Sequence, residues 1–109
     1  MAYDAHLAER IRRVLADDGV SEREMFGSLT FLLHGNMLCG VSGDMLLVRL
    51  GVQRAQEALR EPHTRAMDVT GRPMRSVVFV EPPGIEADED LAAWIERARS
   101  FVGTLPPKA

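Results

Sequence analysis

The 109 residues include one cysteine, one tryptophan, one tyrosine and one lysine, and each scarcity removes a class of explanation. Cys39 has no partner for an internal disulfide, so the fold must be held by its core alone. No stretch approaches the ~20 apolar residues needed to cross a bilayer, because glycine and charge break the longest run around positions 40–44. The opening turns carry Asp4, His6, Glu9, Arg10, Arg12 and Arg13. A secretory leader is therefore not expected, and the expected setting is the cytoplasm.

Positive charge is also in short supply. The net charge is −3 and the isoelectric point near 5.6, so the domain lacks the basic footprint of an autonomous nucleic-acid binder. Lys108 is the lone lysine beside twelve arginines, a skew that suits a GC-rich bacterial coding sequence as well as it suits guanidinium chemistry. The glycines are scattered one per turn and do not form the closely spaced set that cradles a phosphate at the start of a helix. His6, His34 and His63 have no Cys, Asp or Glu at ligand spacing, so neither a metal nor a cofactor is expected. Cys39 sits in an apolar run and reads as an inert buried thiol, since reactive thiols need an accessible, electropositive setting.

What remains is a chain of globular composition, 46% hydrophobic and 27% charged, long enough for one domain and too short for two. No internal repeat or low-complexity linker divides it. The reading is a single domain over 1–105 with a flexible tail at 106–109.

Leu7, Ile11, Val14 and Leu15 recur at helical spacing between charged residues, which predicts an amphipathic helix from Asp4 that stops near Gly19. Ser21 and Glu24 have capping-box spacing and predict a short turn of helix or a tight loop leading into Met25. The period then changes to two. Leu29, Phe31 and Leu33 alternate with Thr30, Leu32 and His34, and turns at His34-Gly35-Asn36 and Ser42-Gly43-Asp44 separate three strands, at 29–33, 37–41 and 45–50. Such short turns require an antiparallel meander. Leu32 and Leu38 fall on the nominally outward face, which implies that something covers part of it.

Val52, Ala55, Ala58 and Leu59 mark one stripe of a second helix ending at Pro62. A short strand at 67–69, a turn at Gly71-Arg72-Pro73-Met74 and a strand at 76–80 follow. The last helix is predicted over 88–104: Asp88, Glu89 and Asp90 suit its positive end, and Leu91, Trp94, Ile95, Ala98, Val102 and Leu105 form its apolar stripe.

Several local words occur in a fixed order: Met1-Ala2-Tyr3-Asp4, Glu24-Met25-Phe26-Gly27, Gly35-Asn36-Met37 with Gly40, Gly43-Asp44 before Leu46, Gly71-Arg72-Pro73-Met74, and an acidic helix start with Trp94. Together they resemble the TfoX N-terminal domain family, found at the front of the bacterial TfoX/Sxy regulators of natural competence and as free-standing small proteins. The resemblance covers nearly the whole chain; Ser28 stands where a second glycine often follows Met-Phe-Gly. It implies an α+β fold, a two-layer α/β sandwich with an antiparallel sheet of about five strands and flanking helices, similar to secretion-chaperone-like folds. In the larger regulators a C-terminal domain follows, which the end at Ala109 leads us to expect is absent here.

The functional expectation is a non-enzymatic protein-interaction module of regulatory type, with an unidentified protein partner and a homodimer as a second option. Its candidate interaction surface is Arg49, Arg72, Met74 and Arg75, because a proline-fixed turn can hold guanidinium groups outward for carboxylate or phosphate. Met25, Phe26, Gly27, Gly71, Pro73 and Trp94 read as structural. A small-ligand carrier or uncharacterised small enzyme, with a pocket lined by Met25, Phe26, Met37 and Met74, is the alternative. It lacks an acid, base or nucleophile cluster, since Glu86, Asp88, Glu89 and Asp90 read as helix-start charges. A weak DNA-binding regulator comes third, and nucleic acid is not expected as the ligand of this domain alone.

Overall fold

The structure, a computed structural model, describes residues 3–16, 19–25, 27–69 and 72–107, and only the backbone of residues 25, 67–69 and 72–74. Along these residues the chain runs α1 (Ala5–Val14), β1 (Val20–Met25), β2 (Ser28–Leu33), β3 (Asn36–Ser42), β4 (Met45–Arg49), α2 (Val52–Ala58), β5 (Thr64–Val69), β6 (Arg72–Val80), a 3₁₀ turn at Pro82–Gly84, and α3 (Asp88–Val102). The fold is α+β. Its six strands form one open antiparallel sheet in the order β1-β2-β3-β4-β6-β5.

Local chemistry accounts for several element ends. The Asp4 carboxylate accepts from the backbone N–H groups of His6 and Leu7 at 2.9 and 3.2 Å, satisfying two donors that the first turn of α1 leaves free. The hairpin between β2 and β3 turns through His34 and Gly35, both at positive φ, the backbone twist that lets two residues join right-twisted strands. Three carboxylates in the first turn of α3 face the positive end of its dipole.

The structure changes three sequence expectations. Residues 20–25 form an edge strand, not a capped helical turn: Ser21 pairs with Leu32 and Glu24 with Leu29 in the antiparallel ladder. This strand brings the sheet to six. Arg72, Pro73 and Met74 lie in β6, not in a turn. A proline is tolerated there because β4 pairs with β6 only from Val77 to Val80, so the Pro73 stretch has no β4 partner for an N–H to serve. Finally, Leu38 points into the core. The β2–β3 register shifts between Phe31 and Leu32, with Phe31 opposite Cys39 and Leu32 opposite Met37. Leu38 is the extra residue of that bulge, and the bulge turns Leu38 and Cys39 to the same side.

All three helices lie against one face of the sheet. Leu7, Ala8 and Ile11 of α1, Ala55 and Ala58 of α2, and Leu91, Trp94, Ile95, Ala98 and Val102 of α3 join Phe31, Cys39, Val41, Leu46, Val48, Val78 and Val80 in one apolar cluster. Ile11, Cys39, Val41, Val48 and Val78 are wholly buried. Burial on this scale, at roughly 25 cal/mol per Å² of apolar surface, is the main favourable term holding the two layers together. The tail is anchored at its start, where Asn36 Nδ2 donates to the Pro106 carbonyl at 2.9 Å; residues 108–109 lie outside the described part.

Candidate interaction face

Strand alternation leaves a second face opposite the helices. Leu47 and Val77 are 3% and 2% exposed yet lie outside the cluster that joins helices and sheet. Around them Leu32, Met37, Met45 and Phe79 are half-buried. Register places one unbroken row across all six strands: Arg23 opposite Thr30, Thr30 opposite Gly40, Gly40 opposite Leu47, Leu47 opposite Phe79, and Phe79 opposite Arg65. Directly opposed residues share a face. The row therefore carries an arginine at each end and small or apolar groups between.

The floor of this row is tightly made. A Cβ on Gly40 would stand 2.7 Å from the Leu29 carbonyl oxygen and 3.4 Å from Leu47 Cδ1, so only glycine fits. At the ends, Arg23 is exposed and has no ion pair with a described residue, and Arg65 lies 4.0 Å from Glu81 with both side chains well exposed. Glu22 and Glu24, on the same strand as Arg23, point the other way: Glu22 accepts from Arg12 of α1, and Glu24 accepts from the Tyr3 hydroxyl at 3.0 Å. Alternation thus sorts β1 by charge, arginine to the open face and carboxylates to the helix face.

Of the residues expected from sequence to form the interaction surface, Arg49 and Arg75 are the two whose side chains the structure describes, and they lie on the neighbouring strands β4 and β6. Arg49 is opposite Val77, and Arg75 follows two residues away on β6, exposed, beside the register shift between Ala66 and Met67. The Arg49 guanidinium, however, lies 5.8 Å from the centre of the Phe101 ring on α3. Arg72 and Met74 lie further along the β5–β6 arm, paired in backbone register with Val69 and Met67, and their side chains, like those of Met25 and Pro73, are outside the described part. Phe26 and Gly71 are outside it altogether. Gly27 holds φ +79 in the turn before β2. Trp94 is 7% exposed, in the core, with the Arg97 guanidinium 4.1 Å over its ring and Arg97 in turn paired with Glu61 at 2.6 Å.

A domain whose glycines Gly27, Gly35 and Gly43 stand in the turns between four meandering strands, with Gly40 inside the third, closed by an acidic helix start and a buried Trp94, has the order of elements that its sequence words suggested. The model of the TfoX N-terminal domain matches residues 13–102. This chain belongs to the TfoX N-terminal domain family. The match takes in every element from the end of α1 to the end of α3, and with them the whole open face. No curated protein matches the chain. The family points to a regulatory-type domain of the competence-regulator kind.

Other chemistry has less support in the geometry. An open cleft of about 570 Å³ between α1 and the start of α3 is lined by His6, Arg10, Arg13, Asp44 and Glu86 among others. Its most buried cation is already engaged, since Arg10 donates to the Ile85 carbonyl at 2.7 Å and to Asp88 Oδ1 at 3.1 Å. Among the described residues no three His, Cys, Asp or Glu side chains converge as a metal site would require. Burial raises the Cys39 thiol from 9.0 to about 12, which removes the thiolate that nucleophilic chemistry needs. No described helix is long and apolar enough to cross a membrane.

The sequence reading missed Arg23, Leu47, Arg65 and Phe79 as neighbours. Each strand's alternation is visible in the sequence, but alignment between strands is set by turn geometry and two bulges. Only the apolar residues on both faces of 29–33 and 45–50 hinted at a second buried surface.

Proposed function

We propose that this domain is a non-enzymatic protein-interaction module of regulatory type, working in the cytoplasm, and that the helix-free face of its sheet receives the partner. The observation that carries this reading is one-sided coverage: α1, α2 and α3 all pack on one face, while the other presents Leu32, Met37, Met45 and Phe79 half-buried around Leu47 and Val77. Half-buried apolar groups gathered on a face without a helical layer are groups that a partner can cover, as it covers larger exposed apolar patches. The row through Gly40 and Leu47 gives that surface a rigid floor, and sites on strands hold their geometry better than sites on loops.

The test is recovery of the tagged chain from its host at native abundance, with and without nuclease, beside a Phe79→Asp variant. A stoichiometric protein that survives nuclease and is lost with Phe79→Asp supports the reading. Recovery of the chain alone, or a partner indifferent to Phe79→Asp, counts against it.

A further inference from the structure

Resting on that reading, we infer that the partner presents an acidic amphipathic segment, seated along the row from Arg23 to Arg65. Both ends of the row are exposed arginines, while its middle is a closely packed floor of Thr30, Gly40 and Leu47, all buried, with Phe79 half-buried beside them and Leu32, Met37 and Met45 half-buried around it. This charge runs against the chain's own net −3. Five strand spacings separate the two Cα positions, roughly 24 Å, the length of a helix of about 16 residues. A segment with carboxylates near both ends and apolar side chains between them matches the row in sign and in length. Arg75, exposed within β6 beside the register shift, adds to the same sign.

The same arrangement argues against other occupants. A second copy related by a two-fold axis and laid row on row sets arginine against arginine at both ends, and like charges facing each other disfavour association. A polyphosphate gains most of its affinity from neutralising many phosphates. This row offers two arginines around an apolar middle, on a domain that is acidic overall. Glu81 is the carboxylate that pairs with the row, at 4.0 Å from Arg65, an exposed contact that a better-placed partner carboxylate can replace.

The experiment selects random segments of roughly 16 residues from a phage-displayed peptide library on the full chain, with the Phe79→Asp protein as the counter-selection target. Should that variant not fold, Met37→Glu, half-buried on the same face, replaces it. Enriched peptides are expected to be net acidic with apolar residues at helical spacing. Their affinity is expected to fall about tenfold for Arg23→Glu/Arg65→Glu, as for losing two exposed charge pairs and gaining two repulsions. Those two sites are exposed, and an unchanged melting temperature separates lost binding from lost folding. Enriched peptides that are neutral or basic, or that ignore the double reversal, overturn the acidic class and leave the docking face standing. No enrichment overturns the linear segment, while the capture experiment with Phe79→Asp decides separately whether the face binds anything. A dimer in sedimentation that Phe79→Asp dissolves, or binding of oligo-deoxythymidine lost in the same variant, assigns the face to a second copy or to nucleic acid and overturns the inference.

Discussion

Arg12 of α1 meets Glu22 of β1 at two points, Nε to Oε2 and Nη2 to Oε1, each at 2.8 Å. Glu9 joins from one turn earlier, accepting from Arg12 Nη1 at 3.0 Å. The pair ties the outermost strand to the first helix and fixes which side of β1 faces the helices. Its two hydrogen bonds hold the Glu22 carboxyl below its ordinary value of 4.5. A lowered carboxyl pKa contributes stability above the unfolded value that is lost as pH falls through the folded one. Both side chains are more than a third exposed, so solvent screening keeps the contribution to roughly 0.5–1 kcal/mol. Glu22→Gln is expected to be less stable than the wild type by that amount at pH 7 and to match it below the carboxylate range. Urea denaturation at pH 7 and pH 3 checks it: an equal deficit at both would show that the charge is irrelevant.

Arg10 fastens α1 to the start of α3 through the Ile85 and Glu86 carbonyls and Asp88, with its side chain 16% exposed. Arg10→Ala is expected to destabilise by about 2–3 kcal/mol, the range for hydrogen bonds to a charged group. Arg10→Lys should restore less than half, because an ammonium cannot serve three acceptors laid out for a planar fork. Thermal melts of the two variants decide it, and equal rescue by lysine would reduce the site to a point charge.

Gly40 lies where a Cβ would collide with the Leu29 carbonyl oxygen at 2.7 Å. The obstacle is backbone in a central strand pair, which cannot swing aside. Gly40→Ala is expected to destabilise by about 2–3 kcal/mol, the upper part of the range for overpacking. An unchanged denaturation midpoint would mean that the β2–β3 ladder yields without loss.

Cys39 is wholly buried, and burial raises its thiol to about 12 from an ordinary 9.0. Because the folded pKa lies above the unfolded one, this group's share of stability is complete below pH 9.0 and is lost as pH climbs towards 12. Labelling of the native protein by a thiol reagent is expected to proceed at the rate of global opening and to slow under stabilising conditions. Fast stoichiometric labelling at pH 7 would show a local route to the sulfur. Cys39→Ser should cost about 1–3 kcal/mol by burying a hydroxyl in apolar surroundings, checked by the urea midpoint.

Much of the fold is legible without coordinates. The amphipathic spacing of Leu7, Ile11 and Leu15, the alternation of Leu29, Phe31 and Leu33, and the acid-led stripe from Leu91 to Val102 identify α1, β2 and α3, because periods of 3.6 and two are written in single stretches of chain. The words around Gly27, Gly35, Gly43 and Trp94 gave the family for the same reason. Residues 20–25 were less legible. Ser21 and Glu24 satisfy a capping rule, yet pairing with β2 and the grip of Arg12 on Glu22 override a weak local preference.

The sequence by itself determined the fold class, the family, the helical and alternating periods and the surplus of apolar residues on both faces of the central strands. Only the tertiary structure decided where those residues go. A bulge of one residue sends Leu38 into the core and leaves Leu32 on the open face, and five aligned registers place Arg23 and Arg65 at opposite ends of one row. Register depends on how separate segments meet, and a shift of one residue moves every side chain of a strand to the other face. Arg49 makes the same point: its place in β4 is local, but its guanidinium follows the Phe101 ring of a helix more than fifty residues away. The local rules fix each strand's own pattern, and the packing of helices on one face decides which side of that pattern is left open.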